Sequence, residues 1–342
     1  MSSILLKDIT VDGVLKDVLI SGGLISRIGP AGASALWEFA GDMEVMNCSG
    51  MVAIPGFVNM HTHSPMALMR GIGEDMVFHE WLAKIWKVEE NLDHEFVYWA
   101  TKVACIEMIR TGTTTFNDQY WFFEESARAA KEMGLRIATG YDVIDKGSEE
   151  EAERQKAQCE SKSAAFLGRK DNSLIYEIAF HAVYSVSEEM MLWVSEFARK
   201  HNLRLHIHLS ETRKEVEDCK AAHGGLSPVE YLDSLGILSD RVLAAHTLWA
   251  PACHIKKHTF RCRKCASSLS PQGKSLHAAG MSPQYAGDFR FIQIDNAQCT
   301  LLQQPALAVK IFQKRGMLSR TNVVRLNIQK DSYVKPDPKR TI

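Results

Sequence analysis

Two pairs of histidines, each with one residue between its members, carry the first chemical signal in this chain of 342 residues. His61 and His63 close the apolar run Pro55-Gly56-Phe57-Val58-Asn59-Met60, and His206 and His208 lie in Leu205-His206-Ile207-His208-Leu209-Ser210-Glu211. Alternate residues of a β-strand point to the same side, so each pair projects two imidazoles toward one point. That makes half of a site for a first-row ion such as zinc, which accepts nitrogen ligands and needs more from elsewhere in the chain. A third strand-like run ends at Leu243-Ala244-Ala245-His246, and Glu211 follows His208 by three residues. An ion held there would make water acidic enough to attack at neutral pH. A lone histidine at a strand end is more often a packed core residue; the recurrence at several strand ends is what favours a metal centre.

The segment from Ile54 to Leu92 also contains Arg70-Gly71, Glu80-Trp81-Leu82 and Val88-Glu89-Glu90-Asn91-Leu92. With the Pro-Gly-Phe-x-Asn-x-His-Thr-His run, it resembles the amidohydrolase superfamily, and within it the methylthioadenosine/S-adenosylhomocysteine deaminase group and its chlorohydrolase relatives. The resemblance reaches from the N-terminus to about Ala250. It implies a metal-dependent hydrolytic deaminase of a purine nucleoside or related aminated heteroaromatic ring, with one divalent metal, zinc, on His61, His63 and His208. His208 rather than His206 takes the ligand role because Glu211 follows it at the family's His-x-x-Glu spacing. Glu211 then shuttles a proton to the ring nitrogen beside the carbon under attack, and His246 orients the attacking hydroxide. His206 reads as a layer-filling residue or one that supports a ligand from behind. The bridging lysine of binuclear relatives is absent from Ile175 to Val186, which points to one ion.

For the substrate, the resemblance implies Glu89 on the ribose hydroxyls, or Glu90 if the register slips by one, with His181 facing the purine and Trp86 and Trp81 as a stacking wall. No arginine stands near Gly140-Tyr141 or after Gly147, where the family binds a homocysteine carboxylate. The substrate is thereby left open among aminated purines and related rings.

The family's fourth ligand is an aspartate within Gly-Thr-Asp-Gly, a tetrapeptide that this sequence lacks. Phe291-Ile292-Gln293-Ile294-Asp295 is the strand-like run that ends in aspartate, so Asp295 is the candidate for both metal ligand and general base. After it the chain ends within about fifty residues, too few for the family's last helices and the strands that complete its N-terminal sandwich. A reading-frame change near Pro251 would account for this departure, and resequencing the gene tests it. The alternative to an active deaminase is therefore a catalytically inactive, truncated or frame-altered remnant that still binds metal. Cys253, His254, His258, Cys262 and Cys265 include one Cys-x-x-Cys, but a zinc knuckle needs a second well-spaced pair.

The elements that must position these residues alternate from Met51 onward. Strands are expected over Val52–His61, Thr113–Asn117, Ile137–Ile144, Ile175–Val183, Leu203–Leu209 and Val242–His246. Helices are expected over His94–Arg110, Glu124–Met133, Glu149–Phe166, Ser187–Lys200 and Thr212–Leu235, the last broken at Gly224-Gly225. Six βα units imply parallel strands with right-handed crossovers. The expected fold is thus an α/β, TIM-type barrel, incomplete, whose strand ends carry the chemistry. Before it, residues 1–53 read as short strands of a small β-sandwich segment, with Gly22-Gly23 as a hairpin turn. Residues 54–250 form the metal-hydrolase core and 251–342 a divergent basic tail.

Composition fits a globular chain with a sizeable core, at 46% hydrophobic and 24% charged residues. The net charge of -1 hides an asymmetry: residues 251–342 carry sixteen Lys and Arg against four Asp and no Glu, a net +12 that leaves -13 on the first 250. No aromatic platform or recognition motif accompanies these basic residues, so a small-molecule substrate is expected and nucleic acid is not. No apolar run approaches the ~20 residues of a membrane helix, and no signal-peptide pattern opens the chain. The expectation is a cytoplasmic protein with reduced thiols and no membrane partner; homo-oligomer formation is left open. A P-loop and a dinucleotide-binding glycine pattern are both absent.

Overall fold

The computed structural model describes residues 3–38, 42–169 and 171–250, and the backbone of 306–310 and 323–327. It divides into two compact units. The first holds β1 (Ser3–Val11), β2 (Val14–Ser21), β3 (Leu24–Pro30), β4 (Met43–Asn47) and β5 (Val52–Ala53). They form one five-stranded sheet in the order β3-β2-β1-β4, with β5 paired to β1. Gly22 and Gly23 both have positive φ, 60° and 79°, at the β2–β3 turn, the backbone that a two-residue hairpin loop demands and that glycine adopts without steric cost. Leu6, Ile9, Val18, Ile20 and Cys48 bury their side chains together in a small apolar cluster.

The second unit contains the core of the barrel. The barrel's elements run β6 (Phe57–Thr62), α1 (Phe78–Glu89), α2 (His94–Thr111), β7 (Thr113–Asp118), α3 (Phe123–Glu132), β8 (Arg136–Val143), α4 (Glu149–Ala164) and β9 (Leu174–Phe180), with the start of β6, the end of α2 and the start of β7 grouping with the first unit. Then follow α5 (Glu188–Lys200), β10 (Leu205–Leu209), α6 (Arg213–Ala222), α7 (Pro228–Ser234) and β11 (Val242–His246). The strands join in the order β11-β10-β9-β8-β7-β6 and make a nearly closed parallel barrel, an incomplete form of the TIM architecture. Between barrel and helices lies a core that includes Ile178, Phe180, Leu205, Ile207 and Leu209 from the strands and Met190, Met191 and Val194 from α5. The odd positions of β10 thus face the helices, which leaves His206 and His208 pointing to the barrel interior.

Two expected elements differ. The strand expected over Val52–His61 is two strands, because Ile54-Pro55-Gly56 leaves regular structure. Pro55 lacks the N–H that a ladder needs, so β5 pairs with β1 and β6 opens the barrel. The strand expected to reach Val183 stops at Phe180, and His181 lies in the loop just beyond it. The expected helix break at Gly224-Gly225 is present, with α6 ending at Ala222 and α7 beginning at Pro228 behind a Ser227–Glu230 capping box. Within the tail, β12 (Ala306–Lys310) and β13 (Val323–Asn327) pair antiparallel and run beside β5 and β3 respectively. Among the described residues no helix is long and apolar enough to cross a membrane.

Candidate active site

The ends of β6, β9, β10 and β11 bring five histidines to one cleft. His61 lies in β6 and His63 one residue beyond its end, and both rings line the cleft. The turn after His63 is held by Asp118 at the end of β7, whose carboxyl accepts hydrogen bonds from the Ser64 N–H at 2.6 Å and the Ser64 hydroxyl at 2.9 Å. Burial pushes the Asp118 carboxyl up to about 6, against the pull of those bonds. His208 projects from β10, and its backbone N–H donates to the His181 carbonyl at 3.0 Å. That bond ties the loop after β9 to β10 beyond the last ladder pair.

One ring nitrogen each from His61, His63 and His208 falls within a 4.8 Å cluster. The Nε2 atoms of His63 and His208 are 3.2 Å apart. Two zinc–nitrogen bonds of about 2.0–2.1 Å at a tetrahedral angle separate their nitrogens by about 3.3–3.4 Å, so this spacing fits one shared ion. The opposite nitrogens are engaged as ligands require: His63 Nδ1 donates to the Gln119 carbonyl at 2.7 Å, and His208 Nδ1 to the His181 carbonyl at 2.8 Å. A backbone acceptor on Nδ1 fixes the tautomer that leaves Nε2 with its lone pair. Burial and the neighbouring histidines hold His61 and His208 well below the usual imidazole pKa, and hold His181 at about 3. These three rings are neutral at pH 7, the form that binds metal.

Around this cluster lie the other residues expected from the sequence. His246 ends β11 with a left-handed backbone, φ 68°, and its ring stacks on His208 at 5.3 Å. Such a conformation is uncommon for a non-glycine residue and collects at functional sites. Glu211 Oε2 is 3.6 Å from His246 Nε2. Glu89 closes α1 and accepts hydrogen bonds from the Tyr120 hydroxyl at 2.7 Å and Trp121 Nε1 at 3.4 Å; burial raises its pKa despite them. Glu90, the alternative, is exposed. Trp86, Trp81 and His181 line the same cleft, which opens to solvent at its mouth. His206 is buried behind the cleft rather than in it. Asp295 and the cysteine-histidine cluster from Cys253 to Cys265 lie outside the described residues.

Sequence reasoning passed over Glu215 and Asp142. The Glu215 carboxyl accepts the backbone N–H groups of Ser210 at 2.8 Å and Glu211 at 2.7 Å, and so clamps the turn that carries Glu211. Its signal was present: Thr212 caps α6 and accepts from the Glu215 N–H, a Thr-x-x-Glu start. Asp142, in β8, lines the cleft and accepts a hydrogen bond from Gln119 Nε2 at 3.2 Å; nothing in its neighbours along the chain marks it.

The sequence profile of the amidohydrolase family matches residues 52–339. The chain belongs to the amidohydrolase family. Among relatives of this amidohydrolase, the 5'-deoxyadenosine deaminase of Methanocaldococcus jannaschii is 41% identical over 283 residues, 82% of this chain and 66% of the relative. The 5-methylthioadenosine/S-adenosylhomocysteine deaminase of Pyrococcus abyssi is 40% identical over 216 residues, 63% of this chain and 50% of the relative. The chain spans about half to two thirds of the length of such curated relatives. An adenosine deaminase from Xanthomonas campestris, solved with bound zinc, superposes with a TM-score of 0.65 at 31% identity, covering 75% of this amidohydrolase and 59% of that chain. The guanine deaminase of E. coli, at 18% identity and a TM-score of 0.59, shares the fold.

Proposed function

We propose that this amidohydrolase is a zinc-dependent deaminase that hydrolyses the amino group from a purine nucleoside of the adenosine type. The observation that carries this reading is the 3.2 Å approach of the His63 and His208 Nε2 atoms, with His61 beside them, in the cleft that also holds Glu211 and Glu89. It is supported by relatives named as deaminases of 5'-deoxyadenosine and of 5-methylthioadenosine, and by a structural neighbour with bound zinc.

His61, His63 and His208 would hold the ion, which supplies the Lewis acidity that makes water a nucleophile at neutral pH. Glu211 removes a proton from the attacking water and delivers it to the ring nitrogen next to the amino-bearing carbon. The remaining hydroxyl proton then passes to the amino group, the carbon–nitrogen bond breaks, ammonia leaves and the ring carbon becomes a carbonyl. His246, stacked on His208 and 3.6 Å from Glu211, orients the attacking oxygen. Glu89 accepts hydrogen bonds from ribose hydroxyls, while neutral His181 and Trp86 flank the purine. Asp295 is assigned the remaining ligand position and the second general-base role. The four free cysteines among the described residues, all buried, accord with a cytoplasmic setting.

Zinc content of the purified full chain, together with ammonia release from adenosine and 5'-deoxyadenosine, tests the proposal. One zinc per chain with turnover upholds it. Absence of both leaves the inactive remnant.

A further inference from the structure

The three candidate ligands differ in what holds them from behind. His63 and His208 each rest on a backbone carbonyl, whereas His61 Nδ1 meets the side chain of His206, with 2.9 Å between Nδ1 and Nε2. His206 Nδ1 in turn lies 3.2 Å from Glu177 Oε1, off the line of a straight hydrogen bond. Glu177 Oε2 accepts Asn117 Nδ2 at 3.3 Å. His206 is 0% and Glu177 1% exposed, and neither lines the cleft.

We infer that Glu177 and His206 are positioning residues that fix the orientation and tautomer of His61, and thereby set the affinity of the metal site. The inference rests on the metal reading of His61, His63 and His208. If His61 Nε2 is to face the ion, its hydrogen sits on Nδ1, and Nδ1–H must donate to His206 Nε2. His206 then carries its own hydrogen on Nδ1, toward Glu177. Each step leaves one proton arrangement, and the carboxyl at the far end selects it. A backbone carbonyl can only accept and so enforces this state by itself; an imidazole can donate or accept and needs Glu177 to choose.

A plain packing role explains the placement poorly. Burying a carboxyl and an imidazole forfeits their hydration, and such pairs are often replaced by apolar residues without loss of stability. The pair is placed where removal would instead free His61 to rotate or change tautomer.

Zinc affinity of the full chain, read by competition with a chromophoric chelator, tests this apart from turnover. His206→Leu is expected to weaken zinc binding about 10–100-fold. His206→Gln, whose carboxamide oxygen can take the place of Nε2 as acceptor, is expected to stay within a few-fold of the parent. Glu177→Gln should fall between them. The thermal midpoint of each metal-free variant reports folding; if His206→Leu does not fold, the Glu177→Gln and parent comparison decides. Equal zinc affinity in the folded variants and the parent overturns the inference, and so does His206→Gln as weak as His206→Leu. A parent that binds no zinc would instead overturn the metal reading.

Discussion

Gly140 on β8 and Glu177 on β9 stand opposite one another so closely that a Cβ on Gly140 would lie 1.6 Å from the Glu177 carbonyl oxygen and 2.6 Å from its carbon. The atoms in the way belong to backbone, so no rotamer change relieves the overlap. Glycine is required here by approach of the strands. Gly140→Ala is expected to destabilise the chain by about 3 kcal/mol or more, measured by urea denaturation. It should also displace Glu177 and weaken zinc binding in whatever fraction folds.

The spacing of His63 and His208 predicts a metal-linked stability. A ligand that binds only the folded chain stabilises it by about 2.7 kcal/mol at a free concentration of 100 times Kd. Zinc added to the metal-free protein should therefore raise its thermal midpoint, and a chelator should reverse the rise. The double variant His63→Ala/His208→Ala should show no zinc-dependent shift; an unchanged shift would place the ion elsewhere.

Much of the barrel and the inner ring of histidines was legible in the sequence because both rest on short-range periodicity. A two-residue repeat at a strand end is enough to aim His61 with His63 and His206 with His208, and Gly224-Gly225 is enough to break a helix. The strand break at Ile54-Pro55-Gly56 is not visible in apolar content, because it is set by the N–H that proline lacks. The link from Glu177 through His206 to His61 was not legible, because it joins β9, β10 and β6 and exists once the strands curve toward closure. The same holds for Asp142, which meets Gln119 just past the end of the neighbouring strand β7. Local pattern finds residues that share an element; contacts between elements need the register.

Glu211 is expected to act on rate rather than on metal binding. Glu211→Gln keeps the volume and removes the proton acceptor, so kcat should fall about 10²–10⁴-fold with zinc content and thermal midpoint unchanged. Glu215→Gln should lower kcat less, since it loosens the Ser210–Glu211 turn without removing the base. Equal kcat in the parent and Glu211→Gln would take the proton shuttle away from this residue.

Asp142 gives the stability a pH dependence of known sign. Burial, opposed by the Gln119 hydrogen bond, raises its carboxyl from 3.8 to about 7. The unfolded chain releases this proton near pH 4 and the folded chain keeps it to near pH 7, so between those values the folded state binds more protons. Stability from this group is therefore full below about pH 4, falls as pH rises toward 7 by at most about 1.4 kcal/mol per pH unit, and stays low above. Asp142→Asn keeps the shape and cannot ionise, so it should remove that slope. Asp118, raised to about 6 by burial, titrates in the same window, which makes the difference between the two proteins the quantity to measure. Thermal midpoints of the metal-free parent and variant, taken from pH 4 to pH 8, should diverge in the variant's favour as pH rises; parallel curves would show that Asp142 ionises in the folded chain as it does in water.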